Sequence, residues 1–239
     1  MCGIGGIVGG GGADRSVLHR IASAMVHRGP DSEGIWHDAT VGLVSRRLAI
    51  LDRTDRSDQP LHLGPWHLVF NGEIYNYVEL REELRALGHR FQSDGDGEVL
   101  LHAWDEWEDG ALDRLNGMFA LAVWHDERRE LVCARDPFGE KPLFWSLRGD
   151  QLAFASEIRA LLQARPDLGA PSSDALGPFL GLGRMPSIDE SFFDGIHQLP
   201  AAHLLRFSDG RVSVSRYWSP HRVEVPAVYG EAEIGRAHV

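Results

Sequence analysis

Met1-Cys2-Gly3-Ile4-Gly5-Gly6-Ile7-Val8 opens the chain, and the rest of the sequence is read outward from it. Cys2 lies directly behind the initiator Met, and a side chain that small lets the Met be removed during synthesis. Cys2 then carries a thiol and a free α-amine on one residue. A thiol attacks as the thiolate, and an α-amine with a pKa of roughly 8 accepts protons near neutral pH. A terminal residue of this kind supplies nucleophile and base together. Ile4, Ile7 and Val8 predict a buried strand that holds the terminus still, and the glycines permit close backbone approach. Position alone leaves open that Cys2 is incidental.

Downstream, Asp14 is read as the cap of a helix running to about Met25, with Val17, Leu18, Ile21, Ala22 and Met25 on one face. Strands follow at Ser32–His37 and Val41–Arg47, then a polar loop from Asp52 to Pro65. Trp66–Phe70 reads as a strand ending in an Asn71-Gly72 turn. Helices are expected at Val78–Leu87 and Asp96–Trp107. The pattern then changes to short strands at Phe119–Trp124, Glu130–Ala134, Pro142–Leu147 and Gln151–Ala155, an antiparallel meander. A short helix at Ser156–Leu162, another capped by Ser172 or Ser173, and a hairpin of His203–Phe207 with Val212–Ser215 complete the reading. Mixed helices and antiparallel strands make the fold class α+β.

The 239 residues suffice for one large domain plus a tail, and 43% hydrophobic content fits a globular core. The net charge of -11 argues against nucleic acid and acidic membrane surfaces as partners. No apolar run approaches a membrane span and no secretory signal is read. The only cysteines are Cys2 and Cys133, the latter in an apolar strand, so a disulfide framework is not expected and a cytoplasmic location fits. The twelve histidines show no HExxH spacing and there is no paired CxxC, so no metal site is expected.

An attack by Cys2 on a carbonyl creates an oxyanion that needs preorganised donors. Asn71 offers a side-chain amide and Gly72 a backbone N–H, although Asn-Gly is also a common hairpin turn. Arg47, ending its strand, is either a surface residue or a bidentate clamp for a carboxylate. Asp96 is expected to cap its helix and is placed to hold an ammonium.

Taken in order, Met1-Cys2-Gly3-Ile4, His27-Arg28-Gly29-Pro30-Asp31, Arg47-Leu48-Ala49-Ile50-Leu51-Asp52, Gln59-Pro60-Leu61 and Asn71-Gly72-Glu73-Ile74-Tyr75-Asn76 form a recognisable set. Asp96-Gly97-Glu98-Val99, Asn116-Gly117-Met118-Phe119-Ala120, the Arg135–Leu143 stretch, Phe154-Ala155-Ser156-Glu157-Ile158 and Tyr217-Trp218 extend it. The set resembles the N-terminal glutaminase domain of glutamine-hydrolysing asparagine synthetases, class II glutamine amidotransferases, over roughly residues 1–219. The resemblance implies a four-layer α-β-β-α sandwich of the N-terminal-nucleophile hydrolase type. It implies that Cys2 attacks the glutamine side-chain amide, giving a γ-glutamyl thioester and ammonia, with Asn71 and Gly72 as the oxyanion hole. It further implies that Arg47 binds the glutamine α-carboxylate, that Asp96 with Glu73 binds the α-amine, and that Leu48 and Ile50 sit beside the pocket.

The family usually has hydroxyl residues on both sides of the aspartate, where this chain has Gly95 and Gly97, so Asp96 is expected to be less rigid. Arg46 is expected on the opposite strand face from Arg47, exposed. In the family, ammonia passes to a C-terminal synthetase domain that uses ATP and Mg2+ to activate aspartate. Its Ser-Gly-Gly-x-Asp-Ser loop does not occur in these residues, so the domain assignment is a glutaminase domain at 1–219 and a disordered linker or tail at 220–239. Glu233–Val239 reads like a translated sequencing adapter, and the natural protein is expected to be longer. A different acceptor, a homodimer, and a non-catalytic binding module remain open alternatives.

Overall fold

The computed structural model describes residues 1–12, 14–184 and 189–220. The tail expected to be disordered therefore falls, from residue 221 on, outside the described residues. Strand β1 (Gly3–Gly9) pairs antiparallel with β3 (Val41–Arg47) on one side and β9 (Gln151–Ala155) on the other. With β2 (Ser32–His37), β8 (Phe144–Arg148) and β10 (His197–Gln198) they form one six-stranded sheet, order β10-β8-β9-β1-β3-β2. A second sheet has the order β12-β11-β7-β6-β5-β4, from β4 (Leu61–Leu63), β5 (Trp66–Ile74), β6 (Gly117–His125), β7 (Glu130–Arg135), β11 (His203–Ser208) and β12 (Arg211–Arg216).

Side chains alternate across a strand, and here the alternation sorts three apolar layers. Ile4, Val8, Leu43, Val69, Ala122, Trp124, Cys133 and Phe154 meet between the two sheets. The next residues in the same strands, such as Phe70, Phe119, Leu121 and Val132, pack outward against α2 (Tyr77–Ala86) and α3 (Asp96–Trp107). On the other outer face Ile7, Val44 and Ala153 pack against α1 (Arg15–Ala24) and α4 (Ile158–Ala164). Helix, sheet, sheet and helix are thus stacked in the four-layer order expected of the N-terminal-nucleophile type. Gly6 is a requirement of this arrangement, since a Cβ there would lie 2.6 Å from both the Gly42 carbonyl oxygen and the Phe154 ring.

Most element boundaries agree with the sequence reading, including the Asp14 cap, whose carboxylate accepts the Ser16 N–H at 2.8 Å, and the Ser172 cap of α5 (Ser173–Leu182). Three differ. Asn71-Gly72 is not a turn: β5 runs unbroken through it to Ile74, with Asn71 opposite Ala120 and Gly72 opposite Phe119. Leu61–Leu63, read as loop, adds a short strand to β5. The helix expected from Ser156 starts at Ile158, because Ser156 is committed to β1, donating its N–H to the Ile4 carbonyl and accepting the Ile4 N–H on its hydroxyl.

Candidate active site

Cys2 lies at the head of the central strand β1, at the wall of a pocket that also takes in Arg47, Leu48, Ile50, Asn71, Gly72, Glu73 and Asp96. All eight residues singled out from the sequence are therefore brought together. The Cys2 Sγ accepts the Leu48 N–H at 3.4 Å. The Cys2 carbonyl is fixed from behind by the Nε–H of Arg28 at 2.9 Å, and Nη1 of Arg28 pairs with Glu157 at 3.1 Å. Burial would raise the Glu157 carboxyl, but the bonds from His27 and Arg28 outweigh it and hold it below its ordinary value. Arg28 and Glu157 belong to recognised motifs, yet nothing in the sequence assigned them this task.

The Asn71 side chain is 1% exposed, and its Nδ2 is buried with no hydrogen-bond partner. A buried donor left unpaired costs free energy, and this one borders the Cys2 pocket. The backbone supplies its neighbour. Strand N–H groups point alternately to the two sides. The Phe70 N–H is taken by the Gln59 Oε1 at 2.6 Å and the Ile74 N–H by the Asp96 Oδ2 at 3.0 Å, both on the edge of β5 that β4 leaves open. Gly72, midway between them, aims its N–H from that same edge into the pocket. Gly72 must be glycine, since a Cβ would stand 2.2 Å from the Met118 carbonyl oxygen.

Asp96 is 9% exposed. It does not cap α3, since Gly95 occupies the cap position and Asp96 is the first helical residue. Its carboxylate instead reaches across to Ile74. Burial raises its pKa, against the lowering effect of that backbone bond, and the Glu73 charge adds to the rise. Arg81 donates to the Ser93 and Gly95 carbonyls at 2.7 and 3.0 Å and holds the segment from below. The space beside Gly95 is filled by Ser57, whose Oγ would lie 2.6 Å from an added Cβ.

Arg47 is buried, and its guanidinium is already engaged. Nη1 donates to Thr54 O and to Asp58 Oδ1, both at 2.8 Å, while Nη2 donates to the Leu51 and Asp52 carbonyls. Any carboxylate bound at Arg47 would share the guanidinium with Asp58. Arg46 faces away from Arg47 as expected, but it is not exposed. Its side chain is 12% accessible and pairs with Glu33 on β2 at 2.9 Å, because the neighbouring strand covers it. Ile50, 66% exposed, stands at the rim. Cys133 is buried between the sheets, where burial pushes its thiol up, out of reach of ionisation.

Among solved structures, the chain is similar to a glutamine phosphoribosylpyrophosphate amidotransferase from B. subtilis, with a TM-score of 0.65 and 20% identity over 90% of this chain and 49% of that one. That likeness concerns the fold. In sequence it is 37% identical over 211 residues to asparagine synthetase (glutamine-hydrolyzing) 3 of Bacillus subtilis, covering 86% of this chain and 34% of the relative. It is 39% identical over 251 residues to a putative asparagine synthetase (glutamine-hydrolyzing) of Mycobacterium tuberculosis, covering 95% of this chain and 38% of the relative. The chain therefore spans little more than a third of the length of these curated relatives. The family model described as the glutamine amidotransferase domain matches residues 1–218, and the chain belongs to that family.

Proposed function

We propose that Cys2, freed of Met1, is the nucleophile of a glutamine-hydrolysing site. Its thiolate adds to the side-chain amide carbon of glutamine, and the oxygen takes the charge. Asn71 Nδ2 and the Gly72 N–H stabilise that oxyanion. The α-amine of Cys2 carries the thiol proton to the amide nitrogen, which leaves as ammonia. A γ-glutamyl thioester remains, and water cleaves it to glutamate and the free thiol. Arg47 and Asp96, with Glu73 beside it, bind the α-carboxylate and α-amine, and Leu48 and Ile50 line the approach. The observation that carries this reading is the unpaired, buried Asn71 Nδ2 in the Cys2 pocket.

In the longer protein we place this activity in residues 1–219 and assign ATP, Mg2+ and aspartate to a synthetase portion that consumes the ammonia. The names of the sequence relatives support asparagine as the product. A cytoplasmic setting fits the two free cysteines. No helix among the described residues is long and apolar enough to cross a membrane. The test is glutamate release from L-glutamine by the parent chain and by Asn71→Ala. Loss of about 10²–10³-fold in kcat is expected for the removal of one oxyanion donor. An unchanged kcat would remove Asn71 from the reaction.

A further inference from the structure

Asp52 closes the Arg47-Leu48-Ala49-Ile50-Leu51-Asp52 stretch and has no part in the chemistry above. Its backbone is left-handed, φ 42°. Its carboxylate accepts four hydrogen bonds. Oδ1 takes the Thr54 N–H at 3.1 Å and the Thr54 hydroxyl at 2.6 Å, and Oδ2 takes the Ser57 hydroxyl at 3.0 Å and the Asp94 N–H at 2.9 Å. Its main-chain carbonyl accepts from Nη2 of Arg47. One residue thereby joins the guanidinium, through its backbone, to the Ser93–Asp96 segment, through its side chain. The glycine at 95 is part of the same join, because it lets Ser57 pack directly against that segment.

We propose that Asp52 is a positioning residue for substrate binding: it fixes the span between Arg47 and Asp96, and so the recognition of the α-carboxylate and α-amine of an amino acid. This rests on the glutamine-hydrolysing reading and adds to it the residue that presets the site for an α-amino acid head group. The bonds of Asp52 lie away from Cys2, Asn71 and Gly72, so the residue acts on binding and leaves the acyl-transfer geometry alone. The Thr54 hydroxyl bond, opposed by burial and helped by the Asp94 and Ser57 bonds, keeps the carboxyl far below its ordinary range, so the clasp is charged at every working pH.

Asp52→Asn is the informative variant. Asparagine tolerates the left-handed backbone, but its amide nitrogen cannot accept, so the backbone N–H of either Thr54 or Asp94 loses its partner. The expected result is a KM for L-glutamine raised about tenfold with kcat within about twofold, the signature of lost binding-site preorganisation. The preference for L-glutamine over 4-carbamoylbutanoate, which lacks the α-amine, narrows by a similar factor. Ser57→Ala, which removes one of the four bonds, raises KM about threefold and decides the matter if Asp52→Asn does not fold. An unchanged KM in folded variants, or a fall in kcat at constant KM, overturns the proposal. Calorimetry with L-glutamine in a Cys2→Ala background separates the two readings. If the parent releases no glutamate but binding weakens tenfold on Asp52→Asn, the positioning role stands and the hydrolytic reading falls. If hydrolysis is intact and neither KM nor Kd moves, the reverse holds. A parent that binds no glutamine removes both.

Discussion

The Nε–H of Arg28 donates to the main-chain carbonyl of Cys2 over 2.9 Å, from a guanidinium whose Nη1 is held by Glu157. A terminal residue has a chain on one side only, so its orientation depends on such a contact. Arg28→Met keeps the bulk and loses the bonds. The expected outcome is a fall in kcat of about 10–100-fold, consistent with misplacement of a nucleophile. Steady-state kinetics check it, with circular dichroism confirming the fold. Glu157→Gln, which leaves Arg28 in place but weakens its anchor, has a smaller effect in the same direction.

Asp96 is expected to link pH to stability and, in its proposed role, to binding. The unfolded chain loses this proton near its ordinary pKa of 3.8, whereas burial makes the folded protein hold it to higher pH. Across that window the folded state binds the extra proton, so stability falls as pH rises through it and stays lower above. Asp96→Asn removes the penalty while keeping an acceptor for the Ile74 N–H. The Tm of the unliganded variant at pH 7 is expected above the parent's, and the difference vanishes below about pH 4. The ammonium proposed to sit at Asp96 needs the ionised carboxylate, so the parent's glutamine affinity is expected to weaken as pH falls into the window. The variant binds about 10–100-fold more weakly with no such trend, the loss expected for a charged hydrogen bond. Thermal melts and calorimetry across pH read both effects.

Gly72→Ala tests the close approach of β6 to the backbone of β5 at this residue. The new methyl would meet the Met118 carbonyl and the Phe119 backbone, and backbone cannot step aside as a side chain does. A destabilisation of about 1–3 kcal/mol in a denaturant titration is expected from overpacking.

These cases show what the sequence could and could not carry. Ser32–His37, Val41–Arg47 and the helix caps were legible because alternation and capping are local. Asn71-Gly72 was read as a turn because that dipeptide favours one. Its pairing with Ala120 and Phe119, decided nearly fifty residues on, forces it straight. The chemistry proposed for it rests on residue type rather than on a turn, and both residues line the pocket with Cys2. Arg28 was visible as a motif without a role, since its partner Glu157 is 129 residues away in sequence. The expectation of a less rigid Asp96 rests on its two glycine neighbours, whereas the bonds to Asp96 and to the Gly95 carbonyl come from Ile74 and Arg81 on other elements.

The central claim is that Cys2 acts as the terminal nucleophile. The direct measurement is glutamate release from L-glutamine by the parent chain and by Cys2→Ala, with intact mass reporting whether Met1 has been removed from each. Glutamate from parent molecules lacking Met1, and none from Cys2→Ala, is the result expected. Equal release by Cys2→Ala, or full activity in chains that retain Met1, would contradict it.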